Sequence, residues 1–183
     1  MKVLFCFGFL LIAGFEHSFA GWIPSYAVLS EVADRAEATL FNSVFWMTST
    51  LFRFIVASLT WSSSRKIKLL TSSLLLCSIV CLVMLLSGNI WITVTLSSFL
   101  FGTATSAIFP LLISLPTEFG VRFRPDEIAT IMMTAVLSSE VLPSVVGVLM
   151  GHNIDYLFVW LLILSGLLWI ILKLILKEME VGG

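Results

Sequence analysis

Charge is scarce in this 183-residue chain: 11% of its residues are Asp, Glu, Lys or Arg, against about a quarter in soluble domains. So little charge cannot cover a water-facing surface, which excludes a soluble globular enzyme and a disordered chain. No sign dominates either. Ten basic and eleven acidic side chains leave a formal net charge of -1, which gives nucleic acid no basic footprint. Histidine is confined to His17 and His152. There is no Gly-x-Ser-x-Gly elbow, no His-Glu-x-x-His, no P-loop and no Gly-x-Gly-x-x-Gly, so no catalytic set assembles and no cofactor is implied. A voltage sensor lacks its arginine ladder and a channel its filter-like loop. Cys6, Cys77 and Cys81 are odd in number and lie in apolar stretches. Cys77 and Cys81 share a helix face without a histidine partner, so the thiols read as small apolar residues rather than a disulfide or zinc set.

Apolar side chains are what the chain has in abundance. They make up 59% of it, and the mean hydropathy is +1.10. At about 20 residues per crossing this length accommodates at most six or seven spans. Lipid leaves backbone groups no water to bond, and no ten-residue barrel alternation is visible, so the spans are helices. The expected fold is all-α: a single six-helix transmembrane domain over 1–183, with spans at about 3–29, 38–60, 69–86, 90–115, 127–150 and 154–176. Ser87, Gly88 and Asn89 form the turn that opens the fourth span.

The distribution of Lys and Arg sets the direction. With six spans, Lys2, Arg65, Lys66, Lys68, Arg122, Arg124, Lys173 and Lys177 fall on one side, and Arg35 alone on the other, inside the acidic loop of Glu31, Asp34 and Glu37. Both termini are therefore expected in the cytoplasm of a multi-pass membrane protein. A rival reading takes residues 2–20 as a signal peptide cleaved before Gly21. The apolar pattern runs on through Trp22, Ile23, Tyr26 and Leu29, which a true span explains.

Ionisable groups inside spans are costly and mark function or its partners. Glu16, with His17 beside it, is near the middle of the first span, Glu140 near the middle of the fifth, and Arg53 two-thirds through the second. At 100° per residue Asn42, Trp46, Ser49 and Arg53 fall on one stripe of an otherwise apolar rod, which predicts that this face meets protein or a watery cavity. Glu140, Ser144, Gly147 and Gly151 repeat the spacing on the fifth span. Gly14, Ser18, Gly21 and Ser25 make a small-residue face suited to close packing, and Phe19, Trp22 and Tyr26 an aromatic face beside Glu16. The plainer alternatives are an Arg53 that snorkels to the interface, Trp22 and Tyr26 as interfacial belt residues, structural glutamates, and a His17 that merely packs. Pro24, Pro110 and Pro143 interrupt three spans, as in carriers whose freed backbone groups line a cavity; a three-plus-three repeat is compatible with the hydropathy.

The stretch GFEHSFAGWIPSYAV, residues 14–28, resembles the seventh helix of the fucose permease and sodium-dependent glucose transporter branch of the major facilitator superfamily. The resemblance rests on Gly14, Glu16, Gly21, Trp22, Ile23, Tyr26 and Ala27. Phe45-Trp46 followed by Phe52-Arg53 is similar to that branch's eighth helix, Gly102 to Pro110 with Phe109 to its tenth, and Ser139-Glu140 with Pro143 and Gly147 to its eleventh. Ser139 stands where the family often has glycine, and the Gly-x-x-x-Asp-Arg loop, a mark of the other half, is missing. The resemblance covers nearly the whole chain and implies the C-terminal half of a twelve-helix fold. It further implies transport of a small polar solute, a hexose, by alternating access at the plasma membrane. Trp22, Tyr26 and Trp46 would stack on the sugar, Asn42 and Arg53 would bond its hydroxyls, and Glu16 and Glu140 would couple transport to H+ or Na+. One half walls only one side of a cavity, so a homodimer or a separate N-terminal half is the expected partner, besides membrane lipid. The alternative is a truncated, non-transporting protein that assembles with or regulates a full-length transporter; a first span starting at Met1 suits such a fragment.

Overall fold

The computed structural model of the chain describes residues 2–59, 62–87, 90–118 and 122–181. It contains six helices and, among the described residues, no strand: α1 (Lys2–Leu29), α2 (Arg35–Ser58), α3 (Ser63–Leu86), α4 (Trp91–Glu118), α5 (Pro125–Met150) and α6 (Tyr156–Val181). All six are long and apolar enough to cross a membrane. The chain is thus an all-α, multi-pass integral membrane protein. Gly88 and Asn89 of the expected turn, and Thr60 at the end of the expected second span, lie outside the described residues.

The helices outrun the apolar spans at several ends. Hydropathy marks the part of a helix that sits in hydrocarbon, whereas hydrogen bonding continues through the interfacial layer. So α2 begins three residues early, at Arg35, and α3 six early, at Ser63, its Arg65, Lys66 and Lys68 carried on the helix itself. Lys66 Nζ then reaches Ser114 Oγ of α4, 3.3 Å away. Pro116 does not end α4, which continues to Glu118.

The turns have local causes. After α1 the Val32 amide bonds the Ala27 carbonyl and the Glu31 amide the Val28 carbonyl, a Schellman closure with Glu31 in the left-handed region at φ 58°. Asp34 then caps α2: its carboxylate accepts from the Glu37 amide at 2.7 Å, and Glu37 accepts from the Asp34 amide. At the start of α5, Pro125 takes the first helical position, where a missing N–H costs nothing. The Glu127 carboxylate there accepts from the Arg124 amide.

The packing follows a pattern of exchange. α1 packs on α5 as α4 packs on α2, and α1 on α6 as α4 on α3, while the α1–α4 and α3–α6 pairs map onto themselves. Only α1–α2 and α5–α6 lack counterparts. Swapping the first three helices for the last three therefore preserves most of the neighbours, which is a three-plus-three arrangement. Odd and even helices cross in opposite directions, so the two triplets are inverted.

Side chains at the two matching crossings agree. Gly14 stands twelve residues past Lys2, and a Cβ there would lie 2.7 Å from Ser138 Oγ of α5. Gly102 stands eleven past Trp91, and a Cβ there would lie 2.5 Å from the Phe45 carbonyl oxygen of α2, against Thr48. Ser138 and Thr48 each stand thirteen residues into their helices. In hydrocarbon there is no hydrophobic gain on helix association, so small residues that let backbones approach carry the contact. Ser138 Oγ also donates to the Leu10 carbonyl of α1.

α1 and α4 form the enclosed centre. Phe5, Phe9, Ile12, Phe15, Phe19 and Ile23 of α1 are all buried. Phe19 stacks on Phe101 of α4 with centroids 4.0 Å apart and an interplanar angle of 10°, and Phe45 of α2 closes the cluster. Outward faces of α2, α5 and α6 expose Phe54, Met133, Val148 and Ile170, as surfaces bathed in lipid tails do.

Candidate functional site

Glu16 lies about 21 Å along α1 from Lys2 at 1.5 Å per residue, close to the middle of the crossing, and is 4% exposed. The five-residue link from Leu29 to Arg35 makes α1 and α2 an antiparallel hairpin. In that hairpin Ser49 sits level with Glu16, and Arg53 one turn further on. Ser49 Oγ donates to Glu16 Oε1 at 3.3 Å, and Arg53 Nη2 donates to the same oxygen at 2.5 Å. The nearly buried carboxylate is thus paired and hydrogen-bonded, the condition under which a buried charge is tolerated. Arg53 pairs inward; it does not simply snorkel.

His17 occupies the next position. Its Nδ1 bonds the Ala13 carbonyl at 3.0 Å. A carbonyl only accepts, so Nδ1 carries a proton in this contact, which leaves Nε2 as the acceptor whenever the ring holds a single proton. The ring meets Trp46 edge-on at 5.7 Å. Glu16, His17 and Arg53 line a cavity of about 260 Å³ whose other walls are Ala13 of α1, Phe109 of α4, and Met132, Ala135, Val136 and Ser139 of α5. Met132 also lines a second cleft nearer the Lys2 end of α1. Phe9 and Phe109 meet edge to face at 5.2 Å, one lining each cavity.

The stripe on α2 does face protein: Trp46, Ser49 and Arg53 meet His17 and Glu16. Asn42 is half-buried, and its Oδ1 is enclosed without a hydrogen-bond partner among the described residues, as is Arg53 Nε. Eleven residues separate Asn42 from Arg53, about 16 Å of helix rise, and the Arg53 guanidinium reaches back to the level of Ser49 to meet Glu16.

Other expected contacts resolve into packing. Tyr26 is fully buried, set edge-on against Phe158 at 4.8 Å and hydrogen-bonded to Asp155. It pins α1 to the start of α6 and offers no face to a sugar. Its residue type suited stacking, but its position on α1 points into the bundle. Trp22 donates from Nε1 to the Pro143 carbonyl at 2.7 Å, and its ring covers Gly147, where a Cβ would lie 2.5 Å from Cζ2. Its remaining surface lines a separate outer cleft with Ser25, Arg35 and Ala38. Trp22 and Tyr26 therefore stand apart from the Glu16 cavity.

Glu140 is exposed, on a shallow dent of α5 with Val141, Ser144, Val145 and Val148. The stripe on α5 divides: Gly147 is covered by Trp22, and Glu140 and Ser144 are not. Glu16 and Glu140 are not brought together. The small-residue face of α1 divides likewise, since Gly14 is tightly packed while nothing lies within 4 Å of a Cβ at Gly21. Sequence reasoning passed over Ser139, Phe109 and Met132 as cavity walls, because only the crossing of α4 and α5 over α1 selects them. It set His17 aside as a packing residue; its adjacency to Glu16 was the available signal. Among the described residues no three His, Cys, Asp or Glu side chains cluster as a metal site.

Comparison with protein-family models, with curated proteins and with solved structures returns no match.

Proposed function

We propose that this bundle moves a small polar solute, most simply a hexose, across the membrane by alternating access, as one half of a carrier of the major facilitator kind. The observation that supports this reading is the Glu16–Arg53–Ser49 cluster at mid-membrane, on the wall of a cavity. Ionisable groups at that depth face a solute or ion path by default. Arg53 supplies donors and His17 Nε2 an acceptor, and a hydroxyl group, donor and acceptor at once, satisfies both. The inverted three-plus-three packing is the arrangement carriers use to alternate access.

Coupling follows from the same pair. A proton on Glu16, or a Na+ ion beside it, removes the charge that holds Arg53, and the freed guanidinium turns to the solute. Glu140 is a second coupling candidate, on a face that a partner bundle would cover. Both termini lie in the cytoplasm, with Arg65, Lys66, Lys68, Arg122 and Arg124 on that side of the plasma membrane. The partner is a second copy or a separate N-terminal half, which supplies the other cavity wall. Asn42 and Trp46 form an outer subsite, one solute length from Arg53.

Purified protein in liposomes tests this. Labelled hexose uptake is expected under an inward H+ or Na+ gradient. Glu16→Gln uncouples uptake from the gradient, and Arg53→Gln abolishes it. No uptake under either gradient favours the other reading, a non-transporting subunit that assembles with or regulates a full-length transporter. The exposed Glu140 face of α5 suits that reading, because a carboxylate left against lipid needs a covering partner.

A further inference from the structure

We infer that the apolar cleft between α1, α4 and α5 holds an anionic phospholipid, with Arg122 gripping its phosphate. The cleft encloses about 380 Å³, and its walls are Phe9 of α1, Ile113 of α4 and Ile128, Ile131 and Met132 of α5, with Phe123 closing one end. Apart from Thr117, Arg122 is the polar lining residue. The cleft sits beside the end of α4 and the start of α5, where the bundle meets the headgroup layer and where Phe5 of α1 packs edge-on against Phe123 at 5.6 Å. A groove of that composition at that level suits an acyl chain.

Charge decides between an anionic and a neutral lipid. Two arginines flank Phe123. The Arg124 guanidinium is clamped in a two-point ion pair on Asp126, which raises its pKa further above its usual range. Arg122 is exposed and makes no hydrogen bond or ion pair among the described residues. One cation at the cleft is therefore neutralised by its own chain and the other is available. Basic pockets between helices at the cytoplasmic face recognise phosphate-bearing headgroups in this way, and a guanidinium grips phosphate through paired donors. The inference uses the membrane-spanning fold and is independent of the transport reading.

Purified protein in neutral detergent, titrated with phosphatidylglycerol or with phosphatidylcholine of the same chains, tests it through retained lipid in native mass spectrometry and through the thermal unfolding midpoint. Phosphatidylglycerol is expected to bind about fivefold more tightly, the factor one interfacial arginine contributes. Arg122→Gln should erase that preference while leaving phosphatidylcholine binding as it was. Arg124→Gln should preserve it. Ile128→Trp, a change at the exposed mouth of the cleft, should weaken both lipids. Glycerol 3-phosphate, a headgroup without chains, should raise the midpoint of neither protein.

A preference that survives Arg122→Gln overturns the assignment. So does stabilisation by glycerol 3-phosphate equal to that by the lipid, which would mean a free-phosphate site. A dimer that dissociates on Ile128→Trp would put a second copy in the cleft and overturn it as well.

Discussion

Arg53 reaches from a partly open position on α2 to a nearly closed one on α1: its side chain is 39% exposed, while that of its partner Glu16 is 6% exposed. The two ends of this ion pair are therefore unequal. Removing Arg53 leaves a nearly enclosed carboxylate without its counter-charge. Removing the Glu16 charge leaves a guanidinium that can turn outward. Arg53→Gln is expected to destabilise the bundle by about 3 kcal/mol, the lower range for breaking a buried pair. Glu16→Gln should cost about 1 kcal/mol, the worth of an ordinary hydrogen bond. The double variant should recover part of the Arg53→Gln loss. Detergent-titrated unfolding of the four proteins checks the order.

The two matching glycines differ in what surrounds them. A Cβ at Gly102 meets the Phe45 backbone, which cannot yield, whereas one at Gly14 meets the side chains of Ser138 and Leu142. Both alanine variants overpack a crossing and should cost about 1–3 kcal/mol, with Gly102→Ala the worse. Gly166→Ala, where nothing lies within 4 Å, should be neutral or stabilising by up to about 1 kcal/mol, because glycine is a poor helix former. Unfolding midpoints of the three variants decide it.

Trp22 joins α1 to α5 through one hydrogen bond and one ring face. Trp22→Phe keeps a ring over Gly147 and loses the bond to the Pro143 carbonyl, at a cost of about 1 kcal/mol. Trp22→Ala also opens a cavity and should cost about 3–5 kcal/mol. If Trp22 instead acts on solute, Trp22→Phe should lower hexose affinity without moving the unfolding midpoint. Parallel stability and uptake measurements separate the two roles.

Water access distinguishes a cavity wall from a lipid face. In a background lacking Cys6, Cys77 and Cys81, Ser139→Cys should react with water-soluble thiol reagents, since Ser139 lines the Glu16 cavity. Met133→Cys, 69% exposed on an outer face, should not react, because thiolates do not form in hydrocarbon. Ser49→Cys should stay silent in this conformation, as Ser49 is buried beneath Arg53. Equal labelling of Ser139→Cys and Met133→Cys would remove the cavity.

Glu31 holds a left-handed backbone that glycine adopts without strain. Glu31→Gly should raise stability by up to about 1 kcal/mol, read as a higher unfolding midpoint. Asp34→Ala, three residues on, should lower it by about 1 kcal/mol through loss of the α2 cap.

Much of the architecture is written in composition and spacing. Lipid forbids unpaired backbone, so long apolar runs read as helices, and the Lys/Arg asymmetry favoured six crossings over five or seven, the number of spanning helices the structure contains among the described residues. The polar stripe on α2 could also be read, as a face that meets protein or a cavity, but its pairing with Glu16 emerged only from the antiparallel hairpin of α1 and α2. What a one-dimensional pattern does not hold is which neighbour covers each face. The periodicity of Trp22 and Tyr26 is the same whether they meet solute or protein. Only the packing of α5 and α6 on α1 turned Trp22 onto Gly147 and Tyr26 onto Phe158. The carboxylates of Glu16 and Glu140 have equal claims in sequence, and tertiary contacts enclosed one and left the other bare. The cavity walls Phe109, Met132 and Ser139, and the cleft beside Arg122, arise where three helices cross, and crossings are set by side-chain volumes far apart in the chain.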